Sequence, residues 1–336
     1  MDGLLVIDKP AGPTSHDVVA RLRRVLRERR IGHTGTLDPA ATGVLPLVIG
    51  RATRLARFMS AADKSYDAIV QLGVRTDTAD LEGRPIDEPY TGPLPSRDRV
   101  DAALDPFRGS FLQQPPAFSA KKIAGRRSYA LARAARDPAR EADTGGGAPR
   151  PAPARVTAHA IQLIAMDADK VTLKVDCSAG FYVRALAHDL GERLGIGACL
   201  VALRRTRSAD FTLDQAIPLD AAERDAAGIA GRVIPMKRLL TSLSAVALTV
   251  DGLRHVAHGR DVGPGDFEEF EEFDAVEPGG LPVVQGTGAP GVVQGIGTPG
   301  VVTPSFLRLL DPTGELVGVA TPSGASGLLH PVVVLM

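Results

Sequence analysis

Cysteine is scarce: Cys177 and Cys199 are the only two in 336 residues, no Cys-x-x-Cys pair occurs, and no histidine cluster accompanies them. A disulfide framework and a structural zinc site are excluded as organising features, and the reading calls for no metal and no cofactor. Long apolar runs are missing too. Nothing near 18 consecutive apolar residues occurs, and Met1-Asp2-Gly3 lacks the charged-then-apolar layout of a signal peptide, so the expectation is a soluble, cytoplasmic protein. The phosphate-loop pattern GxxxxGK[ST] is also absent, which removes one common class of nucleotide-binding protein.

The length suggests about two domains, and 44% hydrophobic residues suffice to build cores. Net charge is zero, but the average hides an asymmetry. Seven carboxylates and no basic residue lie between Asp266 and Glu277, and outside that stretch 39 basic residues face 32 acidic ones. Arg21, Arg23, Arg24, Arg27, Arg29 and Arg30 crowd one segment, where they can track phosphates or simply form a solvated helix face.

Residues 32–46 read Gly-His-Thr-Gly-Thr-Leu-Asp-Pro-Ala-Ala-Thr-Gly-Val-Leu-Pro. One carboxylate, Asp38, sits in a polar loop in which Gly32, Gly35 and Gly43 permit unusual backbone geometry and Pro39 stiffens the chain beyond it. An ordinary Asp-Pro turn is the plainer alternative. An apolar strand, Val44 to Ile49, follows directly.

Upstream, Leu4 to Ile7 reads as a strand, and Thr14 or Ser15 can cap a helix patterned by Val18, Val19, Leu22, Val25 and Leu26. Downstream, the pattern predicts a helix over 52–59 and a strand from Tyr66 to Leu72 with Tyr66, Ala68, Val70 and Leu72 on one face. Residues 137–154 are Gly/Pro-rich and predict a flexible surface loop. Strands are expected at 156–164 and 171–175, then a helix through Leu186 to Leu194 stopped by Gly195, then a return to the core over 203–211. Beyond about residue 240, strands at 244–250, 306–310 and 316–321 are expected, the last two joined by the turn Asp311-Pro312-Thr313-Gly314. Residues 266–303 combine the acidic run with Gly/Pro-rich sequence in which Val-Val recurs every nine residues, a low-complexity insertion.

The run around Asp38 resembles the signature of the bacterial tRNA pseudouridine synthases of the TruB family, GHTGxLDPxATGxLP. Other segments agree in order: Asp8-Lys9-Pro10 through Asp17, Lys64-Ser65-Tyr66, Leu72 through Asp80, Gln114 through Lys122, Cys177 through Arg184, and Leu203-Arg204-Arg205-Thr206. The resemblance implies an α+β pseudouridine synthase fold over 1–240, with a mixed central β-sheet flanked by helices, and a small β-rich PUA-like RNA-binding domain over 241–336. It implies isomerisation of uridine to pseudouridine in the TΨC arm of tRNA, without cofactor or obligatory protein partner, by a monomer. Asp38 would be the nucleophile, Arg184 its bidentate partner, and Tyr66 the ring that stacks on the extracted base and moves a proton. Tyr182 and Leu203 would line the uracil pocket, His33 would fill the space left by flipped nucleotides, and Lys9 would orient RNA or the loop. A non-catalytic tRNA-binding or tRNA-folding protein on the same scaffold is the alternative; retention of Asp38, Tyr66 and Arg184 together argues against it.

Overall fold

The computed structural model describes residues 1–119, 121–123, 125–128, 131–132, 150–268, 306–323 and 327–336. The segment expected to loop over 137–154 lies largely outside the described residues, as does the low-complexity insertion beyond Glu268.

Seventeen strands are present among the described residues. The amino-terminal half contributes β1 (Gly3–Lys9), β2 (Ile31–His33), β3 (Thr42–Ile49), β4 (Lys64–Leu72) and β5 (Gly109–Gln113), with a short hairpin of β6 (Lys122–Ile123) and β7 (Arg126–Arg127). Then come β8 (Ala154–Asp167), β9 (Lys170–Cys177), β10 (Ala198–Ser208) and three two-residue strands, β11 (Phe211–Thr212), β12 (Ile217–Pro218) and β13 (Ile234–Pro235). The carboxy-terminal group is β14 (Ala245–Ala247), β15 (Leu307–Leu310), β16 (Leu316–Pro322) and β17 (Leu329–Val334).

An eleven-stranded mixed sheet has the order β12-β1-β3-β10-β4-β9-β8-β5, with β2 also paired to β3, β11 to β10 and β13 to β1, and a separate four-stranded sheet runs β14-β15-β16-β17. Helices cover the large sheet, so the expected α+β architecture with a second small β-rich unit is what the chain forms. In β4 the expected alternation holds: Ala68, Val70 and Leu72 are buried on one face and join Val171, Leu173, Val175 and the helix Val183–Leu194 in one core cluster. Between the strands at 156–164 and 171–175, extended here to full β8 and β9, the antiparallel pairing is continuous apart from two bulges. The helix Ser15–Leu26 starts at Thr14, whose hydroxyl accepts from the Asp17 amide while the Asp17 carboxylate accepts in return, a capping box that fixes where the helix begins.

Three local expectations change. Over 52–59 the chain forms a 3-10 turn, Gly50–Leu55, before a short α-helix, Ala56–Ser60; Thr53 returns its hydroxyl to the Gly50 carbonyl, and the first turn stays tight. The strand expected over 244–250 stops at Ala247, because the Thr249 hydroxyl accepts from the Gly252 amide and Val250 opens a helix, Val250–Ala257. Asp266, expected to begin the acidic insertion, belongs to the folded unit: its carboxylate accepts from the Gly263 amide at 2.9 Å and pairs with His255 at 2.9 Å, and its carbonyl accepts from Thr249.

The two sheets share a core. Leu4, Val6, Val44 and Val48 cluster with Leu310, Leu316, Val319, Val333 and Leu335, and Arg51 donates to the Leu335 carbonyl at 2.8 Å.

Candidate active site

Asp38 lies on the connection from β2 to β3, and hydrogen bonds tie the backbone down on both sides of it. The buried Ser15 hydroxyl accepts from the Leu37 amide at 2.8 Å and donates to the Leu37 carbonyl at 3.0 Å. The Gly12 amide donates to the Pro39 carbonyl, the Ala41 amide to the Asp38 carbonyl, and the Thr34 amide to the Pro46 carbonyl. Lys9 is fully buried, and its ammonium donates to the carbonyls of Pro10 (2.8 Å), Pro39 (3.0 Å) and Ala41 (2.8 Å). Leu37 and Ala41, either side of the carboxylate, insert into the core beneath. The loop is thus held from the helix, from β1 and from below, so the direction of the Asp38 side chain is set by its frame.

Of the three glycines expected to serve the loop, only Gly43 needs to be one for conformational reasons. Its φ is 100°, and a Cβ there would stand 2.2 Å from the Arg205 carbonyl. Gly32 and Gly35 have no positive φ, and a Cβ on either would meet only ordinary contacts at 3.7 and 3.5 Å.

Arg184 lies in the first turn of the helix Val183–Leu194 rather than beside a strand at the surface. Its side chain is 7% exposed, and its Nε is 3.0 Å from Asp38 Oδ2, whereas the Asp38 side chain is 42% exposed. The other guanidinium nitrogens are occupied: Nη1 donates to the Thr78 carbonyl at 3.2 Å and lies 3.4 Å from Asp80 Oδ2, and Nη2 donates to the Phe118 carbonyl at 2.8 Å. The expected two-point pairing with Asp38 is therefore a one-point contact, the rest of the fork being spent on orienting the arginine. Asp80 was not singled out in the sequence, although the stretch Leu72 to Asp80 was. Its carboxylate accepts from the Thr78 hydroxyl and the Glu82 amide, so it reaches Arg184 from a preformed turn.

Tyr182 precedes that helix, and the buried Gln113 grips its backbone on both sides, donating to the Tyr182 carbonyl at 3.0 Å and accepting from its amide at 2.8 Å. Burial pushes the Tyr182 phenol above the usual tyrosine range, with the Ser119 hydroxyl and the Arg184 charge opposing and Asp38 adding to the rise. Tyr66 and Leu203, on neighbouring strands, both pack at the seam between two core clusters. Burial likewise pushes the Tyr66 phenol up; the Arg205 cation opposes this, and Asp38 adds to it. Asp38 therefore lies within electrostatic reach of Arg184, Tyr66 and Tyr182 alike. His33 ends β2 and meets His16 edge-on, ring centroids 5.1 Å apart. Lys9, with no exposed surface, has nothing with which to touch RNA; its geometry serves the loop.

Two further cations were not legible as site residues. Lys64 is 7% exposed and donates to the carbonyls of Ser60 (2.7 Å) and Ala62, and Arg205 is 1% exposed. Burial pulls the ammonium groups of Lys9 and Lys64 down to about 8, Arg205 adding to the fall in each.

Two family models match the chain: the TruB family pseudouridylate synthase N-terminal domain over residues 23–183, and the tRNA pseudouridylate synthase B C-terminal domain over residues 184–241. The chain is 43% identical over 269 residues to the tRNA pseudouridine synthase B of Solibacter usitatus, covering 80% of this chain and 88% of that one. To the protein of the same name from Gloeobacter violaceus it is 44% identical, again over 80% and 88%. Among solved structures, a Cbf5-Nop10-Gar1 complex superposes with a TM-score of 0.67 at 23% identity, over 99% of this chain and 85% of that one, a likeness of fold.

Proposed function

The chain belongs to the TruB family of pseudouridylate synthases, and from that premise we propose that it converts uridine to pseudouridine in tRNA, at the uridine of the TΨC arm. The observation that carries this reading is the Asp38–Arg184 pair: a half-exposed carboxylate held by a buried guanidinium whose other nitrogens are engaged, with two tyrosines in electrostatic reach.

Uridine must leave its stack to reach that carboxylate, which costs roughly a few kcal/mol, supplied by contacts elsewhere on the RNA. Asp38 acts as the covalent nucleophile while the N1–C1′ bond breaks. The uracil turns, C5 joins C1′, Asp38 is released, C5 loses its proton and N1 gains one, so the product is an isomer of the substrate. Tyr66 stacks on the base and its hydroxyl moves a proton of the sugar during the rearrangement. Tyr182 and Leu203 line the base pocket, His33 contacts the opened T loop, and Lys9 keeps the Asp38 loop in shape. Residues 1–240 form the catalytic unit and 241–336 an RNA-binding unit resembling a PUA domain. The enzyme works as a cytoplasmic monomer without a protein partner. No helix among the described residues is long and apolar enough to cross a membrane.

Incubating the pure protein with an unmodified T-arm stem-loop and mapping pseudouridine tests the reading. Conversion at a single uridine is expected. RNA binding without conversion would instead favour the non-catalytic tRNA-folding alternative.

A further inference from the structure

A helix usually begins after a residue whose side chain can accept from its first free amides, and tyrosine is a poor choice for that place. Yet Tyr182 occupies it ahead of the helix Val183–Leu194, with an extended backbone and no side-chain cap. What fixes this helix start comes from another strand. Gln113, the last residue of β5 and 2% exposed, lays its amide against the Tyr182 backbone: Oε1 accepts from the Tyr182 amide at 2.8 Å and Nε2 donates to the Tyr182 carbonyl at 3.0 Å. The Leu186 amide donates to the same carbonyl, so the first helical hydrogen bond and the glutamine meet on one oxygen. A backbone N–H only donates and a backbone carbonyl only accepts, so the glutamine amide fits this pair in one orientation.

The same stretch of chain holds Arg184. Beyond Gln113 the Phe118 carbonyl accepts from Arg184 Nη2 at 2.8 Å, and between the two grips lie Pro115 and Pro116, whose rings restrict the backbone. Gln114 Nε2 donates to the Pro151 carbonyl at 2.6 Å, and the Ala117 carbonyl accepts from the Ser128 hydroxyl at 2.6 Å. Residues 113–118 thus form a stiff spacer with one end on the Tyr182 backbone and the other on the guanidinium whose Nε lies 3.0 Å from Asp38. We propose that Gln113 is a positioning residue for the reaction: by fixing where the turn of Tyr182 and Arg184 starts, it sets the reach of Arg184 to Asp38 and the place of the Tyr182 ring. This rests on the reading that Asp38 is the nucleophile and that Tyr182 lines the base pocket. A displacement of about 1 Å in such a constellation can cost about 10²-fold in rate. A glutamine that served packing alone would, when lost, lower stability and leave the rate of the folded molecules as it was.

The test uses Gln113→Met and Gln113→Glu. The first keeps length and volume and removes both hydrogen bonds. The second carries its own control. Ionised, the introduced carboxylate can accept from the Tyr182 amide but has nothing to donate to the carbonyl; protonated, it offers one O–H donor and one acceptor oxygen, the pattern of the amide it replaces. Burial moves the titration of such a carboxyl toward neutral pH. In single-turnover conversion of the T-arm stem-loop at pH 8, both variants are expected to fall about tenfold or more, with RNA affinity within about threefold. As the pH is lowered to 5.5, the ratio of the Gln113→Glu rate to the native rate is expected to rise about fivefold or more, while that of Gln113→Met stays level. In the Arg184→Lys background Gln113→Met is expected to cost less than about threefold further, since the contact it protects is already gone. Independently of activity, hydrogen exchange of a peptide containing Tyr182, followed by mass spectrometry, is expected to quicken about tenfold at that amide in Gln113→Met.

A native rate in Gln113→Met, a level ratio in Gln113→Glu, or an equal loss in the Arg184→Lys background would overturn the proposal. So would loss of the folded thermal transition in both variants, which would make Gln113 a part of the framework only. If the native chain binds the stem-loop without converting it, the reading of the function fails, and the exchange at Tyr182 alone decides whether Gln113 fixes the start of that helix.

Discussion

The Asp38 loop and the carboxy-terminal sheet both present aspartates in glycine- and proline-bearing turns, and they use them in opposite ways. In the carboxy-terminal unit Asp311 and Asp266 close their own turns, and Asp261 is paired within the same unit. Asp311 accepts from the amides of Thr313 and Glu315 at 2.9 Å, Asp266 from that of Gly263, and Asp261 pairs with His330 at 2.7 Å. The Thr313, Gly314 and Glu315 hydrogen bonds outweigh burial and hold the Asp311 carboxyl below its ordinary range, and the His330 contact does the same for Asp261. Around Asp38 the closing is done by other groups, namely Ser15, Lys9, Arg205 and backbone amides, so the carboxylate is left to face one arginine and solvent. A turn that caps itself is finished. A turn capped by its surroundings has a functional group to spare.

Asp38→Asn breaks the comparison at its sharpest point. The amide keeps the size but removes the anionic nucleophile, and turnover should fall by a factor on the order of 10⁴ or more while RNA affinity stays within about tenfold. Asp311→Asn, the same change in a self-capped turn, should leave turnover unchanged; single-turnover rates and filter binding on both variants check the pair. Arg184→Lys comes next, at about 10²-fold or more, since a lysine cannot contact Asp38, Asp80 and two carbonyls at once. Near-normal turnover would show the fork to be dispensable.

Lys9→Met acts on the frame. It strips the donor from three carbonyls and should cost about 1–3 kcal/mol by denaturant titration at pH 7. The pH dependence has a definite sign. Burial depresses the Lys9 ammonium to about 8 from 10.5, so between these values the folded state binds fewer protons than the unfolded, and the native chain gains stability relative to the variant as pH rises from 8 to 10.5. A stability gap that stays flat over this range would contradict a buried, charged Lys9. The smallest effect is expected from replacing residues 269–303 with a Gly/Ser linker, keeping Asp266 to Glu268 for the contacts they make. Stem-loop conversion should be preserved, and a folded but inactive product would make that segment part of the enzyme.

Much of this was legible because periodicity and capping are local. The alternation of β4, the capping box at Thr14 and Asp17, and the αL stop at Gly195 follow from neighbours in sequence. Asp38 stood out in its glycine-bearing loop, but its pairing with Arg184 was legible only through resemblance, since 146 positions separate them and nothing local couples them. Arg205, Gln113 and Asp80 escaped as site residues because their meaning is tertiary: an arginine in a strand or a glutamine at a strand end reads as surface until the fold buries it. The helix after Thr249 escaped because Val246, Leu248 and Val250 alternate like a strand, and only the Thr249 cap tells the two apart.

The most direct test of the central claim labels the target uridine of a T-arm stem-loop with tritium at C5 and follows its conversion by the pure protein. If Asp38 opens the way for C5 to bond C1′, one tritium is released to water per RNA converted, the RNA otherwise keeps its mass, and Asp38→Asn releases none. Retention of tritium in RNA that the native protein has bound and released, or release that persists at the native rate in Asp38→Asn, would contradict the account.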